Sequence, residues 1–507
     1  MPLSASGRTP SFPINRIPLD VLALIPTHLT SHKDRFRTSF VCRHWRRVFL
    51  QRGVLWSQLF IRNGEDYIET LLERAKGSAL DIFTKHKIPT YAITQLAPHA
   101  QQIRHLEFLD TDWADIKTFS EVPGALPLLH TLKIIESDND LDPVPSHPLL
   151  FHGSLNLEQF ILHSVTSPLL RLFLFPNLTT FKFTTPGSDY YIFDLLPLLE
   201  FLKISPTLRT IKLDMFATIM LDSVSQGVVI VLPNVETFSL STHELDGTLY
   251  DIAAHISCPC AKLTSLRHKL DREEIIAEAG LFPTSALWNT LVHQYTTNQI
   301  EEVTIAASPL GSRVTATIKY TLSFQSSDAT VIRLGFRVTD IVADEEELEL
   351  SWEQMNLEVF SQACRTIQDH PLFSRVKRLH INLGRNGYFH PKYVASKAKL
   401  VGEMLGSLGS LDEVILHSDD VPIFTPPFPH SFSFERGLPP IKKLTISEPL
   451  MLDSMDMDRI VQLAKSLHEP GKPFERITFP VQSWISSNMA EALRQWVSTA
   501  NCWCTEE

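Results

Sequence analysis

The sequence predicts an α/β protein: a small all-α module at the N-terminus, then an irregular solenoid in which a curved parallel sheet is lined by helices on its outside and carries a β insertion. Three observations predict it. Residues 17 to 56 place apolar side chains at helical spacing. A pattern of apolar-x-x-apolar-x-apolar recurs twelve times between Ile103 and Phe479. Between two of its copies, Val314 to Phe324 and Val331 to Val338 alternate apolar and polar residues over strand lengths, split by Ser326-Ser327-Asp328.

Residues 1–15 are rich in Ser, Pro and Gly, the composition of a disordered tail. In the adjoining module, Leu22, Ile25 and Leu29 share one helical stripe, widened by Val21 and Leu24. Pro18 suits a first helical turn, where its missing N–H costs nothing. Pro26 lies inside the pattern and should kink or break that helix. After a polar break at Thr30 to Lys33 a second helix is expected. Its apolar side is Phe36, Phe40, Val41, Trp45, Val48 and Phe49, and Arg35, Arg43, Arg46 and Arg47 are mainly on its polar side. About 40 residues rarely close a core alone, so this surface needs the rest of the chain or another protein.

The stretch resembles the F-box of fungal-type F-box proteins. Ile17-Pro18-x-Asp20 stands for the opening of that motif and Leu22, Ile25 and Leu29 for its apolar positions. Val41-Cys42-Arg43-His44-Trp45-Arg46 stands for its closing signature and Leu55-Trp56 for its trailing pair. Ile17, Asp20 and Pro26 depart from the usual pattern. The resemblance implies an F-box over residues 16–61 that docks on the Skp-type adaptor, and through it a cullin, of an SCF (Skp–cullin–F-box) ubiquitin ligase. Pro18, Leu22, Ile25, Leu29, Val41, Cys42 and Trp45 would make or support that interface, with Trp45 as its main hot spot. An ordinary helical hairpin of the core is the alternative that the residues leave open.

Beyond the module, Tyr67 to Ala75 reads as a helix with Gly77 as its C-cap. Leu80-Asp81-Ile82 looks like the first short strand. The recurring pattern then starts at Ile103-Leu106-Phe108 and continues through Leu129-Leu132-Ile134, Leu157-Phe160-Leu162, Leu178-Phe181-Phe183, Leu208-Ile211-Leu213 and Val235-Phe238-Leu240. Leu263-Leu266-His268 is a weaker copy. Ile300-Val303-Ile305, Val376-Leu379-Ile381, Leu411-Val414-Leu416, Ile441-Leu444-Ile446 and Phe474-Ile477-Phe479 complete it. The last two apolar residues of each copy alternate, so they face one side of a strand. Pro127, Pro176, Pro206, Pro233 and Pro439 lie two places before the first apolar residue, suited to starting a strand and stopping a helix. Candidate helices between strands are Pro168 to Phe175, Tyr191 to Leu202, Arg272 to Ala279 and Met355 to Asp369. This region, residues 62–507, resembles the irregular leucine-rich-repeat part of F-box proteins, with 308–373 read as an insertion.

The net charge of −11 argues against a general nucleic-acid or anionic-membrane binder. Part of that charge is the acidic run Asp344 to Glu353, read as a solvated face or loop. Six cysteines make no disulfide framework in 507 residues. With no signal-like or membrane-spanning run of apolar residues, a reducing compartment is expected, cytoplasm or nucleus.

No phosphate loop, dinucleotide fingerprint, zinc-protease helix or nucleophile elbow is present, so no enzyme and no cofactor is expected. Cys258-Pro-Cys260, with His255 and His268 nearby, and Cys502-Trp-Cys504 lack knuckle spacing and read better as buried or idle thiols than as metal ligands. Asp138 to Asp142 lacks the glycine and closing glutamate of a calcium loop. Each strand also turns one residue per copy onto the open face of the sheet. Lys133, Lys182, Lys212, Arg267 and His380 are the basic ones and give a candidate surface for an acidic or phosphorylated substrate segment. The alternative is that exposed strand positions are simply polar. A rival reading for the whole chain is a repeat scaffold whose helical hairpin only caps the array.

Overall fold

Eight copies of the apolar pattern open on one device. A four-residue turn precedes the strand, and the N–H of its fourth residue donates to the carbonyl of its first at 3.0 to 3.4 Å. The turns are 126–129, 154–157, 175–178, 205–208, 232–235, 258–261, 373–376 and 408–411. Their first residues, Leu126, Ser154, Phe175, Ser205, Leu232, Cys258, Phe373 and Leu408, are all buried. Pro127, Pro176, Pro206, Pro233 and Pro259 take the second place, where proline's fixed φ is already that of the turn. After seven of these turns the next residue donates its N–H to the chain at the start of a neighbouring strand at 2.8 or 2.9 Å, as His130 to the Arg104 carbonyl, Glu236 to Arg209 and Asp412 to Lys377.

The computed structural model of the chain describes residues 17–28, 34, 37–61, 65–84, 89–109, 116–117, 120, 126–135, 151, 154–185, 192–216, 218–220, 229–242, 248–271, 300–312, 315–326, 331–341, 357, 359–368, 371–382, 391–417, 441–447, 460–461, 464, 474–479 and 487–501. The chain forms two compact units, Met1–Ser188 with Leu196–Leu208, and Asp189–Leu195 with Arg209–Glu507.

In the first unit six parallel strands lie side by side in chain order: β1 (Gln58–Ile61), β2 (Leu80–Thr84), β3 (Ile103–Leu109), β4 (Thr131–Ile135), β5 (Gln159–His163) and β6 (Thr180–Thr184). The register lines the apolar positions up across strands: Leu106 beside Leu132, Leu132 beside Phe160, Phe160 beside Phe181. Their inward side chains are closed over by a phenylalanine cluster. The Phe160 ring lies 4.8 Å from Phe173 and 4.9 Å from Phe175, both edge-on, and Phe181 lies 4.7 Å from Phe201.

In the second unit the short strands β7 (Ile192–Asp194) and β9 (Thr218–Met220) pair, as do β10 (Ile230–Val231) and β12 (Ile256–Ser257). The main sheet starts with β8 (Thr210–Met215), β11 (Thr237–Thr242) and β13 (Leu263–Asp271). Next come β14 (Ile300–Ser312), β15 (Thr315–Ser326) and β16 (Val331–Ile341), then β17 (Arg378–Asn382), β18 (Glu413–Leu416), β19 (Lys443–Ile446), β20 (Phe474–Thr478) and β21 (Val497–Asn501). The spatial order runs β13–β16–β15–β14–β17. The expected hairpin is therefore a full member of the sheet, because the strand from Ile300 extends to Ser312 and pairs with it. Only β15 runs against its neighbours; β16 and β14 present parallel edges to β13 and β17.

Several expectations need correction. The sheet begins at β1, inside the stretch read as all-helical, and not at Leu80. Ile192–Asp194 is a strand ahead of the helix Leu195–Lys203, as its aromatic and β-branched residues favour. Pro168 to Phe175 is a 3₁₀ turn over Ser167–Leu172 followed by extended chain, because the link from His163 to Thr180 is too short for a full helix. One helix per strand is thus not the rule among the described residues. The weak copy at Leu263 sits two residues out of frame: Leu266 lies beside Leu240, so the buried triplet is Ala261, Thr264 and Leu266. An alanine and a threonine hide it. The stretch Arg272 to Ala279 lies outside the described residues, as do Leu29, Asp138 to Asp142, Asp344 to Glu353 and Cys502 to Cys504. Where Met355 to Asp369 is described it is helical over 359–368, burying Val359, Phe360, Ala363, Cys364 and Ile367.

The helix Glu65–Ala75 ends as predicted, with Lys76 and Gly77 both at positive φ, 49° and 77°. It packs on the N-terminal module through Gly53. A Cβ there would overlap the Ala75 carbonyl oxygen and lie 2.7 Å from Ser78 Oγ. Gly53→Ala should cost about 1–3 kcal/mol of stability, read as a lower denaturation midpoint; an unchanged midpoint would show that this contact does not hold the module. Phe160→Ala, at the centre of the ring cluster, should cost about 3–5 kcal/mol in the same assay.

Candidate functional site

The N-terminal module is built from short pieces. Pro18 precedes the helix Leu19–Leu24 as its N-cap residue, and its carbonyl accepts the Leu22 N–H at 3.0 Å. The helix gives way to a 3₁₀ turn at Ile25–His28, the break expected from Pro26. The second apolar run is not one helix. Residues 37 and 38 are helical, a turn follows at Ser39 and Phe40, and a second helix covers Arg43–Gln51 with extended Cys42 as its N-cap residue. Trp45, Val48 and Phe49 face inward, while Arg43, Arg46 and Arg47 face out. The Trp45 and Phe49 rings stack at 5.9 Å.

The predicted interface residues divide on this geometry. Leu22 (0% exposed) and Trp45 (7%) belong to the interior and can only support a surface. Ile25 and Cys42 are half-buried. Pro18 and Val41 (53%) are exposed. Four exposed apolar residues stand outside the predicted set, Val21, Leu24, Val54 and Phe40 (60%), the last with the Arg46 guanidinium 5.8 Å above its ring. A signal for two of them is present, since Pro18, Val21 and Leu24 recur every third residue along one helix face.

The family model for F-box-like domains covers this module and its first strand. Residues 14–62 match the F-box-like family. F-box domains generally bind a Skp-type adaptor, and the match supports an adaptor-binding role for the N-terminal module of this chain. No curated protein matches the chain. Trp56, near the end of the matched segment, ties the F-box-like module to the helix Glu65–Ala75. Its Nε1 donates to the Phe49 carbonyl at 2.7 Å, and the Arg74 guanidinium lies 4.8 Å above its ring.

The five basic residues of the open face do not form one set. In the first unit Lys133 is matched by Glu107 Oε1 at 3.0 Å, and Lys182 is half-buried beside Ile161. An aromatic row adjoins them, Phe60 on Phe83 at 5.0 Å and Phe83 on His105 at 4.7 Å. In the second unit Lys212 is exposed, and His380 is half-buried between Thr304 and Ile415. Arg267 is exposed too, but the frame shift of its strand puts Ser265 in the row that Arg267 was expected to fill. The Cys258-Pro-Cys260 sequence is the turn of this strand, with Cys258 buried and Cys260 exposed. Burial pushes the Cys258 and Cys364 thiols well above their ordinary value, which keeps them protonated and unreactive.

Burial also pushes the His105 imidazole below the usual histidine range, against the pull of the Asp81 and Glu107 carboxylates. His380 is lowered by burial and by His417, against Glu302. For both, the unfolded chain takes up a proton before the folded chain does. Their contribution to stability is full above the ordinary value of about 6.5 and is lost as pH falls below it. The melting temperature should therefore drop between about pH 7 and pH 5, and less so in a His105→Gln/His380→Gln variant. Identical pH profiles would remove the two histidines as the cause.

Proposed function

We propose that the chain is the substrate-recognition subunit of an SCF-type ubiquitin ligase, working in the cytoplasm or nucleus. The N-terminal module docks on a Skp-type adaptor, and through it a cullin. The strand-and-turn array, leucine-rich-repeat-like and of the irregular fungal kind, holds a protein substrate. The chain itself makes and breaks no covalent bond. It acts by positioning, raising the effective concentration of substrate lysines near the ubiquitin-charged enzyme.

The observation that carries this reading is the F-box-like match over residues 14–62, on a module that exposes Pro18, Val21, Leu24, Phe40 and Val41. Apolar residues of this kind on a short helical module fit a partner that desolvates them. The test is co-purification of the intact chain with a Skp-type adaptor. A Val21→Asp/Val41→Asp variant should lose about 2 kcal/mol or more of adaptor affinity while its circular dichroism and melting stay unchanged. Trp45→Ala should instead destabilise the module by about 3–5 kcal/mol and lose the adaptor through unfolding. Normal binding by the aspartate pair would move the interface elsewhere.

The second reading, a repeat scaffold capped by its helical hairpin, draws on one observation. Strand β1 falls within the matched segment and is the first strand of the sheet. Deleting residues 1–61 removes that strand under either reading, so the surface substitutions are the discriminating test. No complex with the adaptor from soluble, folded wild-type protein would favour the scaffold.

A further inference from the structure

Charges at the strand starts of the second unit are matched in a row. Arg209 pairs with Glu236 at 3.2 Å and Lys262 with the other oxygen of Glu236 at 3.2 Å. Lys377 pairs with Glu301 at 2.8 Å and Lys442 with Asp412 at 2.9 Å. The open face is different. The register sets Lys212, Ser239, Ser265 and Arg333 side by side on β8, β11, β13 and β16. Arg267 lies two residues along β13 from Ser265, opposite Gly335, and its Nε donates to Ser265 Oγ at 3.2 Å. Lys212, Arg267 and Arg333 are all exposed, and among the described residues none of them has a carboxylate partner. The nearest carboxylate in the register is Asp214, two residues along β8 from Lys212 on the same face and two strands from Arg267.

We infer that this cationic row is a docking surface for an acidic peptide segment, one rich in aspartate and glutamate. The inference rests on the substrate-receptor reading above and names the class of segment received. Three unmatched cations gathered on one face of a chain with net charge −11 repel one another, and an anionic occupant relieves that repulsion. The two serines between them are short, so the row has a low floor of hydroxyls walled by long basic side chains. Neighbouring strands are about 4.8 Å apart, which places the Lys212 and Arg333 backbones about 14 Å from each other. A single phosphate is too small to bridge that span. An extended peptide rises about 3.3 Å per residue, so carboxylates four residues apart cover about 13 Å and reach both ends.

The probe is a fluorescein-labelled Gly/Ser peptide carrying glutamates four residues apart, titrated with the full chain by fluorescence anisotropy. Lys212→Glu/Arg333→Glu should weaken binding by at least about tenfold, and added salt should weaken the wild-type complex. Arg209→Glu, a cation already matched by Glu236, should change affinity by less than about twofold. Unchanged binding by the double variant overturns the proposal. So does a phosphoserine version of the peptide that binds more than about tenfold tighter than the glutamate one, since the occupant is then a phosphorylated segment. The adaptor co-purification runs on the same preparations. Adaptor binding without peptide binding rejects this inference alone, and peptide binding without adaptor binding rejects the ligase reading alone.

Discussion

A turn closed on a buried first residue brings the chain into strand after strand, and after seven of these turns the next N–H is captured by the chain at the start of a neighbouring strand. That hydrogen bond sets the register, and in a sheet a slip of one residue would turn every inward side chain out. With the register fixed, the alternate apolar residues of neighbouring copies meet. Leu106 lies beside Leu132 in one unit, and Val414 lies beside Leu444 in the other. The phenylalanine cluster and the buried helix faces then close over a surface that the turns have already aligned.

The charged row at the strand starts follows from the same geometry. Arg209, Glu236 and Lys262 alternate in sign because each sits beside the next, and so do Glu301 with Lys377 and Asp412 with Lys442. Most of these side chains are well exposed, so each pair contributes only about 0–1 kcal/mol. Their value is in compatibility, since like charges directly opposite would oppose the pairing. The cations at Lys212, Arg267 and Arg333 on the open face carry no such matching among the described residues. That difference is what the proposed docking of an acidic segment rests on.

Within the first unit, close contacts join the F-box-like module to the helix Glu65–Ala75. Gly53 lets its backbone approach the Ala75 carbonyl, and Trp56 bonds to Phe49 on one side and carries Arg74 on the other. β1 extends directly from this joint into the sheet. Under the proposed adaptor role, these contacts would hold a partner bound on the module at a set place relative to the six strands of that unit.

The strands at most of the apolar triplets, the hairpin around Ser326, the break at Pro26 and the cap at Gly77 are legible in the chain's own residues, because each is written in local periodicity or in backbone preference. So is the F-box-like stretch that the family match supports. Other features exist only once the chain is folded. Trp45 and Leu22 lie inside while Phe40 and Val41 lie outside, and a stripe of apolar residues does not say which of them the module consumes in its own core. The frame shifts at Ala261 and Thr264, whose small or polar side chains carry no hydrophobic signal. The hairpin joins the sheet, and Lys212 comes into line with Arg333 from a distant part of the chain, because pairing between remote strands depends on register and not on local sequence.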